Sequence, residues 1–385
     1  MRWFANVPLL LPCFIFCGGE VRADSLQQTL SARASEEYIT NPLLNPALQG
    51  LSAWRSTFDP NYKLTKVSGA DQLTADLDLL LVHSSNTSII ADGGFPTATF
   101  GWTRQADKGK FDVTTSYNVA STMLAMPGTV GIVSANSTST SKNLSADWSR
   151  DISERTTLTL NGAYTNTTFS GNGNTTLAGN GNSANLYDFV TQTGGVKLNY
   201  ALNEHNATFM NLSYVNFAPS GSGPNSRVYN AGLGLNWSVT ERMDWTLQAG
   251  PSRMESPGSA GTTTTTTSLQ GAMIINYRGQ QSNLILNANR QATPSGLNAI
   301  VMVDQANGSF SYDLSERSKT GLDLGWSKYD ALPVSFYRTS GIWLRHDLST
   351  SWWMKTYINH NTNVLGSLNP ATSNMIGISI AYTNF

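Results

Sequence analysis

The chain has 385 residues, of which only 24 are Lys or Arg and 25 Asp or Glu; that 13% charged fraction is about half the share of an average soluble domain. It is not oily either, at 40% hydrophobic and a mean hydropathy of −0.22, and roughly a third of it is Ser, Thr or Asn. These values exclude a highly charged disordered tail and a polytopic helical membrane protein with repeated apolar runs of about 20 residues, and a formal charge of −1 gives no reason to expect a nucleic-acid partner.

Met1-Arg2-Trp3 leads into an apolar run, Phe4–Cys17, and then to Val21-Arg22-Ala23 before Asp24. A basic start, a short apolar core and small residues at −3 and −1 predict a secretory signal peptide over 1–23, read by the Sec route. Phe14 and Phe16 stand where a lipobox wants Leu and a small residue, so lipidation of Cys17 is not expected. Cys13 and Cys17 leave with the signal. The mature segment, 24–385, therefore has no cysteine and cannot use disulfides.

Strands follow one another along the rest of the chain, beginning near Leu26–Tyr38. The unit is clearest where Tyr229, Ala231, Leu233, Leu235, Trp237 and Val239 alternate with Asn230, Gly232, Gly234, Asn236 and Ser238. Period 2 over such a length marks a strand with two chemically different faces. Thr240-Glu-Arg242 then turns the chain into a second run at Met243, Trp245, Leu247 and Ala249, which makes a hairpin. The hairpin recurs around Ser153-Glu-Arg155, Asn203-Glu-His205 and Ser315-Glu-Arg317, with weaker copies at Gln105–Lys110, Arg278–Ser282 and Leu348–Ser351. Between hairpins lie longer Gly/Ser/Thr/Asn/Pro stretches: Asn172–Asn185, Ala218–Arg227, Glu255–Thr267, Ala292–Asn298 and Thr362–Ser373. Short turns on one side and long polar loops on the other are the asymmetry of an outer-membrane barrel. The expected fold is all-β, a transmembrane antiparallel up-and-down β-barrel of about 18 strands, with 16 as the alternative count.

Aromatic placement orients the faces. Trp102, Trp148, Tyr200, Trp237, Tyr277 and Tyr312 each stand a few residues before a short turn on the apolar face, as a periplasmic interfacial girdle demands. Tyr117, Tyr164, Tyr214, Trp326 and Tyr329 are the candidates for the opposite belt. The polar face is then the lumen, and alternation assigns it Lys110, Asp112, Asp147, Lys197, Asp313, Asp323, Arg345, Asp347 and Lys355. Four bases against five acids set up no field of one sign, which an ion-selective pore would need. Trp343, Trp353 and Tyr357 share that parity, and aromatic faces beside hydroxyls and amides suit neutral, hydroxylated solutes.

The last strand, Asn374–Phe385, resembles the C-terminal assembly signal of outer-membrane barrels, with Phe385 terminal and Tyr382 aromatic before it. It departs from that pattern because Tyr382 precedes Phe385 by three residues rather than two. The resemblance implies the barrel-assembly machinery as a partner. Ser35-Glu-Glu-Tyr38 with Asn41-Pro42, the repeated Ser/Thr-Glu-Arg turns and Arg290-Gln-Ala-Thr-Pro294-Ser-Gly296 resemble the outer-membrane β-barrel porin family associated with exopolysaccharide gene neighbourhoods. That resemblance implies an outer-membrane barrel.

Catalytic chemistry is sparse. His83, His205, His346 and His360 form no metal-ligand spacing, and neither a nucleophile elbow nor a P-loop occurs. No cofactor, metal or catalytic residue is expected. The expected function is a Gram-negative outer-membrane porin passing small hydrophilic or sugar-like solutes, or the barrel of a glycan export route. Outer-membrane lipid is the expected partner, with a glycan as a further one. The alternatives are a structural or surface-interaction barrel and, further off, a phospholipase-like enzyme that would place a Ser beside His346 on the lipid face.

Overall fold

The computed structural model describes residues 25–44, 50–122, 137–170, 175–176, 183–184, 186–220, 225–257, 262–295, 299–330, 334–365 and 369–384. The proposed signal peptide and Phe385 lie outside them. The strands are β1 (Ser25–Thr40), β2 (Ser52–Ser68), β3 (Asp71–Ser84), β4 (Gly93–Ala106), β5 (Gly109–Ser121), β6 (Thr138–Ser153) and β7 (Thr156–Ser170). A two-residue hairpin follows, β8 (Thr175–Thr176) with β9 (Ser183–Ala184). Then come β10 (Phe189–Ala201), β11 (Asn206–Pro219), β12 (Ser226–Thr240), β13 (Met243–Pro257), β14 (Thr263–Arg278) and β15 (Ser282–Ser295). The chain ends with β16 (Ala299–Ser315), β17 (Ser318–Tyr329), β18 (Ser335–Asp347), β19 (Trp352–Leu365) and β20 (Ala371–Thr383).

Leaving out β8 and β9, the strands form one 18-stranded antiparallel sheet in which each pairs with its sequence neighbours. The sheet closes because β1 also pairs with β20, Ser31 opposite Thr383 through Ile39 opposite Met375. Of the two counts the composition allowed, the higher is the one built. Every Ser/Thr-Glu-Arg or related polar segment is a short turn at one rim, and both described chain ends lie at that rim, where Asn384 N–H donates to the Leu30 carbonyl. One short turn escaped the sequence reading, Ser68–Asp71, where Gly69 takes a φ of 60° that disfavours residues with a Cβ. The opposite connections are shorter than composition suggested. β13 and β14 pair out to Pro257 opposite Thr263, β19 runs to Leu365, and β20 begins at Ala371. Six consecutive threonines read as a loop, yet threonine is β-branched and sits well in a paired strand.

Alternation gives the wall an apolar outer face. Leu233 and Leu269 are 68% and 66% exposed there, and Ile342, Ile358, Ile376 and Ile378 are exposed beside them. The buried apolar residues instead collect on the inner face near the long-loop rim. Ile39, Ala53, Val82 and Phe95 enclose Ile89 and Ile90, which the Ser85–Asp92 connection folds inward onto the wall. Phe217 and Val228 form a second cluster, joined by Ile300 although its parity on β16 is that of the outward Asp304, and Val301, Val303 and Tyr329 form a third with Tyr337 packed on it. Tyr329 therefore does not belong to an outer aromatic belt. Its cross-strand partner is Val303, it is fully buried, and parity puts it on the inner face, opposite to Trp326.

Inner aromatics lie flat where a neighbouring strand supplies glycine. A Cβ on Gly234 would fall inside the Phe209 ring, one on Gly321 inside Trp343, and one on Gly377 would meet the Tyr357 ring 2.6 Å away. Gly234→Val should therefore cost about 1–3 kcal/mol through overpacking, read as a lower urea midpoint in detergent. Gly194→Ala, with nothing within 4 Å of the new methyl, should leave that midpoint unchanged.

Candidate functional site: the inner wall

Lys110 and Asp112 on β5 and Asp147 on β6 share the inner face: Asp112 stands opposite Asp147, pairs with Lys110 at 2.9 Å and accepts from Thr103 at 2.6 Å. Lys197 on β10 lies 4.2 Å from the Phe209 ring centroid. Asp313 pairs with Lys319 across the β16–β17 turn at 3.1 Å, and Asp323 accepts from Ser309 at 2.8 Å. Arg345 and Lys355 are direct cross-strand partners on β18 and β19, and Arg345 pairs with Asp347 at 2.8 Å. Structure thus groups Arg345, Asp347 and Lys355 together, with Asp323 a nearby charge of Lys355, while Lys197 stands on another sector of the wall.

Two of these cations cover the aromatic faces that were expected to receive sugars. Lys355 sits 4.7 Å above the Trp343 ring, whose other side lies on Gly321, and Arg345 sits 4.6 Å above Trp353. A ring sandwiched between a glycine and an ammonium is a cation–π pair and offers no open platform. What faces the interior here is the charged group, held in place by the ring beneath it.

The strongest inner-wall network was not found from sequence. Glu37 on β1 accepts hydrogen bonds from Arg55 on β2 and from the Tyr357 hydroxyl on β19, with side-chain exposures of 8% for Glu37 and 10% for Arg55. Tyr357 reaches Glu37 across β20 because Gly377, directly opposite Glu37, leaves the space. Arg33 pairs with Asp59 at 2.8 Å, and Asp76 accepts from Asn61 at 2.6 Å on the same sector. Alternation in β1–β3 carried this signal, since Arg33, Ser35 and Glu37 share one parity, but the strands before Gln105 are the weakest period-2 runs. The inner charges gather on β16–β20 and β1–β6. Between the rims, Lys197 is the single charged inner side chain of β10–β15 among the described residues, and Asn199, Asn211, Asn230, Gln248, Gln270, Asn287 and Asn289 line that sector instead.

On the outer face, register places Trp102, Trp148, Tyr200, Trp237, Tyr277 and Tyr312 close to the short-turn rim. They have company: Trp102 stacks edge-on with Phe111 and donates to Asp71, Trp237 packs on Trp245, and Trp352 on Tyr382. Tyr382 is on the outer face, and β20 pairs without a register shift through Thr383. At the opposite height Tyr38 packs on Trp54, and Tyr214 on Tyr229.

No metal-binding group of three or more ligating side chains exists among the described residues. His83 pairs with Asp92 at 2.8 Å beside the inward-folded connection. Partial burial works to raise the Asp92 pKa, but the Ser84 N–H and the His83 ring outweigh it and hold the carboxyl below its ordinary value. His360 contacts Asn374 at 2.7 Å. His346 does meet a serine, Ser318 Oγ at 2.9 Å on the outer face. Among the described residues, though, no carboxylate or amide orients the ring from its other side, which a nucleophilic triad requires.

No family model matches the chain, and no curated protein sequence does either. Solved structures do. The outer membrane protein OpdK of Pseudomonas aeruginosa, in its structure with vanillate, superposes with a TM-score of 0.50 at 10% identity, over 93% of this chain and 98% of that one. The same protein in another structure, as OccK1 (OpdK), gives 0.50 at 9% over the same shares, and OccAB4 of Acinetobacter baumannii gives 0.49 at 9%, again over 93% and 98%. At such identities the likeness is one of fold: a closed antiparallel barrel of porin architecture.

Removing one partner of the Glu37–Arg55 pair leaves the other charge buried and uncompensated. Arg55→Ala should therefore destabilise the folded barrel by about 3–5 kcal/mol, and Arg55→Met with Glu37→Leu by clearly less. Chemical unfolding of both variants in detergent micelles checks the order.

Proposed function

We propose that this chain is an outer-membrane channel of a Gram-negative envelope, exported through the Sec route, that passes small hydrophilic solutes passively. The observation that carries the reading is the inversion of the wall, apolar outside and amide- and charge-bearing inside, around a closed sheet with no free edge. In hydrocarbon such a wall pairs its strand backbones below the point, Gly271 opposite Arg290, where β14 and β15 part, and turns its polar side chains to water. The amide-lined sector of β10–β15 favours neutral, hydroxylated solutes, because paired donors and acceptors match hydroxyls without selecting a charge. The glycan-linked reading, an export route included, is supported by the same sector and by the loose resemblance of Ser35–Tyr38 and Arg290–Gly296.

In planar bilayers the full chain should give discrete conductance steps with weak ion preference, and a neutral sugar added at millimolar concentration should lower the open-channel current. A folded, heat-modifiable protein that gives no steps would leave a structural barrel as the reading. Arg345→Ala with Lys355→Ala should move the reversal potential toward cation preference, and an unmoved potential would remove those two side chains from the conduction path.

A further inference from the structure

The outer face carries scattered charges, Glu36, Lys142 and an Arg227–Arg253–Glu255 group among them, and one extended array where an apolar wall is expected. Arg290 on β15 faces Asp304 on β16 with both carboxylate oxygens at 3.0 Å, and Asp304 is the direct partner of Lys328 on β17. Lys328 pairs with Asp330 at 2.6 Å, and Arg290 reaches the same carboxylate at 3.8 Å. Arg338 on β18, exposed and directly opposite Trp326, stands next in this array and makes no ion pair among the described residues. Three cations against two carboxylates leave one positive charge uncompensated. Parity fixes the side: Phe310, Leu322 and Leu324, exposed on the same strands, belong to the face that holds Asp304 and Lys328.

Height matters as much as face. Asp304 and the lower-belt Tyr312 lie on one strand, roughly 20 Å apart along the barrel axis at ~3.3 Å per residue and ~40° of tilt. That sets the cluster about 5 Å inside the upper edge of an apolar band about 25 Å tall, from where long Arg and Lys side chains reach headgroups by snorkelling. Directly beneath it the wall is hollowed into a groove of about 790 Å³. Its floor is made by the small outward residues Ala249, Gly271 and Ala288, and Leu233, Leu269 and Trp326 stand up around it.

Resting on the outer-membrane reading above, we infer that the groove beneath Arg290, Lys328 and Arg338 is a docking site for an outer-leaflet lipid with a phosphorylated, hydroxylated headgroup. Acyl chain fills the groove. Phosphate oxygens accept from the guanidinium and ammonium groups, and headgroup hydroxyls donate to Asp304 and Asp330. The mixed character of the cluster is what selects this class. A plain zwitterionic lipid has no hydroxyls for the carboxylates, and a purely cationic patch would have no use for them.

The test uses the full folded chain in detergent, with lipid A, phosphatidylglycerol and phosphatidylcholine as probes and native mass spectrometry as the readout. Wild type should retain lipid A at least tenfold more than phosphatidylcholine, with phosphatidylglycerol between them. Arg290→Gln/Lys328→Gln/Arg338→Gln should lose at least fivefold of that retention, and Ala288→Phe should lose it with all charges intact. Arg150→Gln, on the outer face near the short-turn rim, should bind as wild type does. Equal retention by the triple variant, or no preference over phosphatidylcholine, overturns the proposal. So does efficient disulfide formation between copies of an Ala288→Cys chain, which would put a second copy in the groove. A chain without any heat-modifiable folded form would overturn the membrane reading itself, whereas a folded barrel without lipid preference overturns this inference alone.

Discussion

Everything in this molecule depends on closing the sheet. A strand surrounded by hydrocarbon cannot leave its N–H and C=O groups unpaired, because no water is present to take them up. The pairing of β1 with β20 removes the two edges that an 18-stranded open sheet would expose. Once the edges are gone, each residue has only two environments available, and alternation assigns it to one or the other. The low charge content follows from that division. On the outer-membrane reading, half of each strand must be tolerable in lipid, and the other half must be polar without carrying a charge that lacks a partner.

The seam is also where the inner wall spends its most buried charges. Glu37 and Arg55 belong to β1 and β2, and Tyr357 approaches from β19 over Gly377 of β20, so one carboxylate ties three strands together across the closure. At the long-loop end the same seam is reinforced by Thr40 and Asn41, which exchange hydrogen bonds with Thr372, Ser373 and Asn374. Inner aromatics act in a related way. Phe209 and Trp343 lie on glycines and support Lys197 and Lys355, so rings that could have obstructed the interior become floors for charged groups. The interior is thereby divided between an ionic sector and an amide sector, and this division distinguishes the solutes that each part of the wall can meet.

The outer surface obeys the same logic with a few charged departures, of which the largest spans three strands. Most outward positions are Leu, Ile, Val or small residues, bounded below by Trp and Tyr near the short turns. On the outer-membrane reading, the Arg290–Asp304–Lys328–Asp330 network interrupts that pattern near the upper edge of the apolar band, where ionic side chains cost less than at its centre and headgroups are within reach.

The sequence alone determined the class of the fold and its inside-out polarity, and narrowed the strand number to about 18 or 16. Those properties live in the period of single strands and in the polarity of single turns, as in Tyr229–Val239 and Thr240–Arg242. It misjudged the connections, because Thr263–Thr267 and Thr362–Leu365 have the composition of loops but the partners of strands. It also mistook Tyr329, which stands three residues from Trp326 on the same strand and therefore points the other way. Register and closure came only with the tertiary structure, and with them every contact between strands distant in sequence. Glu37 meets Tyr357 from the far end of the chain, and Ser318 meets His346. Arg290 lies on an outer wall whose neighbours arrive from three other strands. A period tells a side chain which way to point, but only the pairing of whole strands decides what it points at.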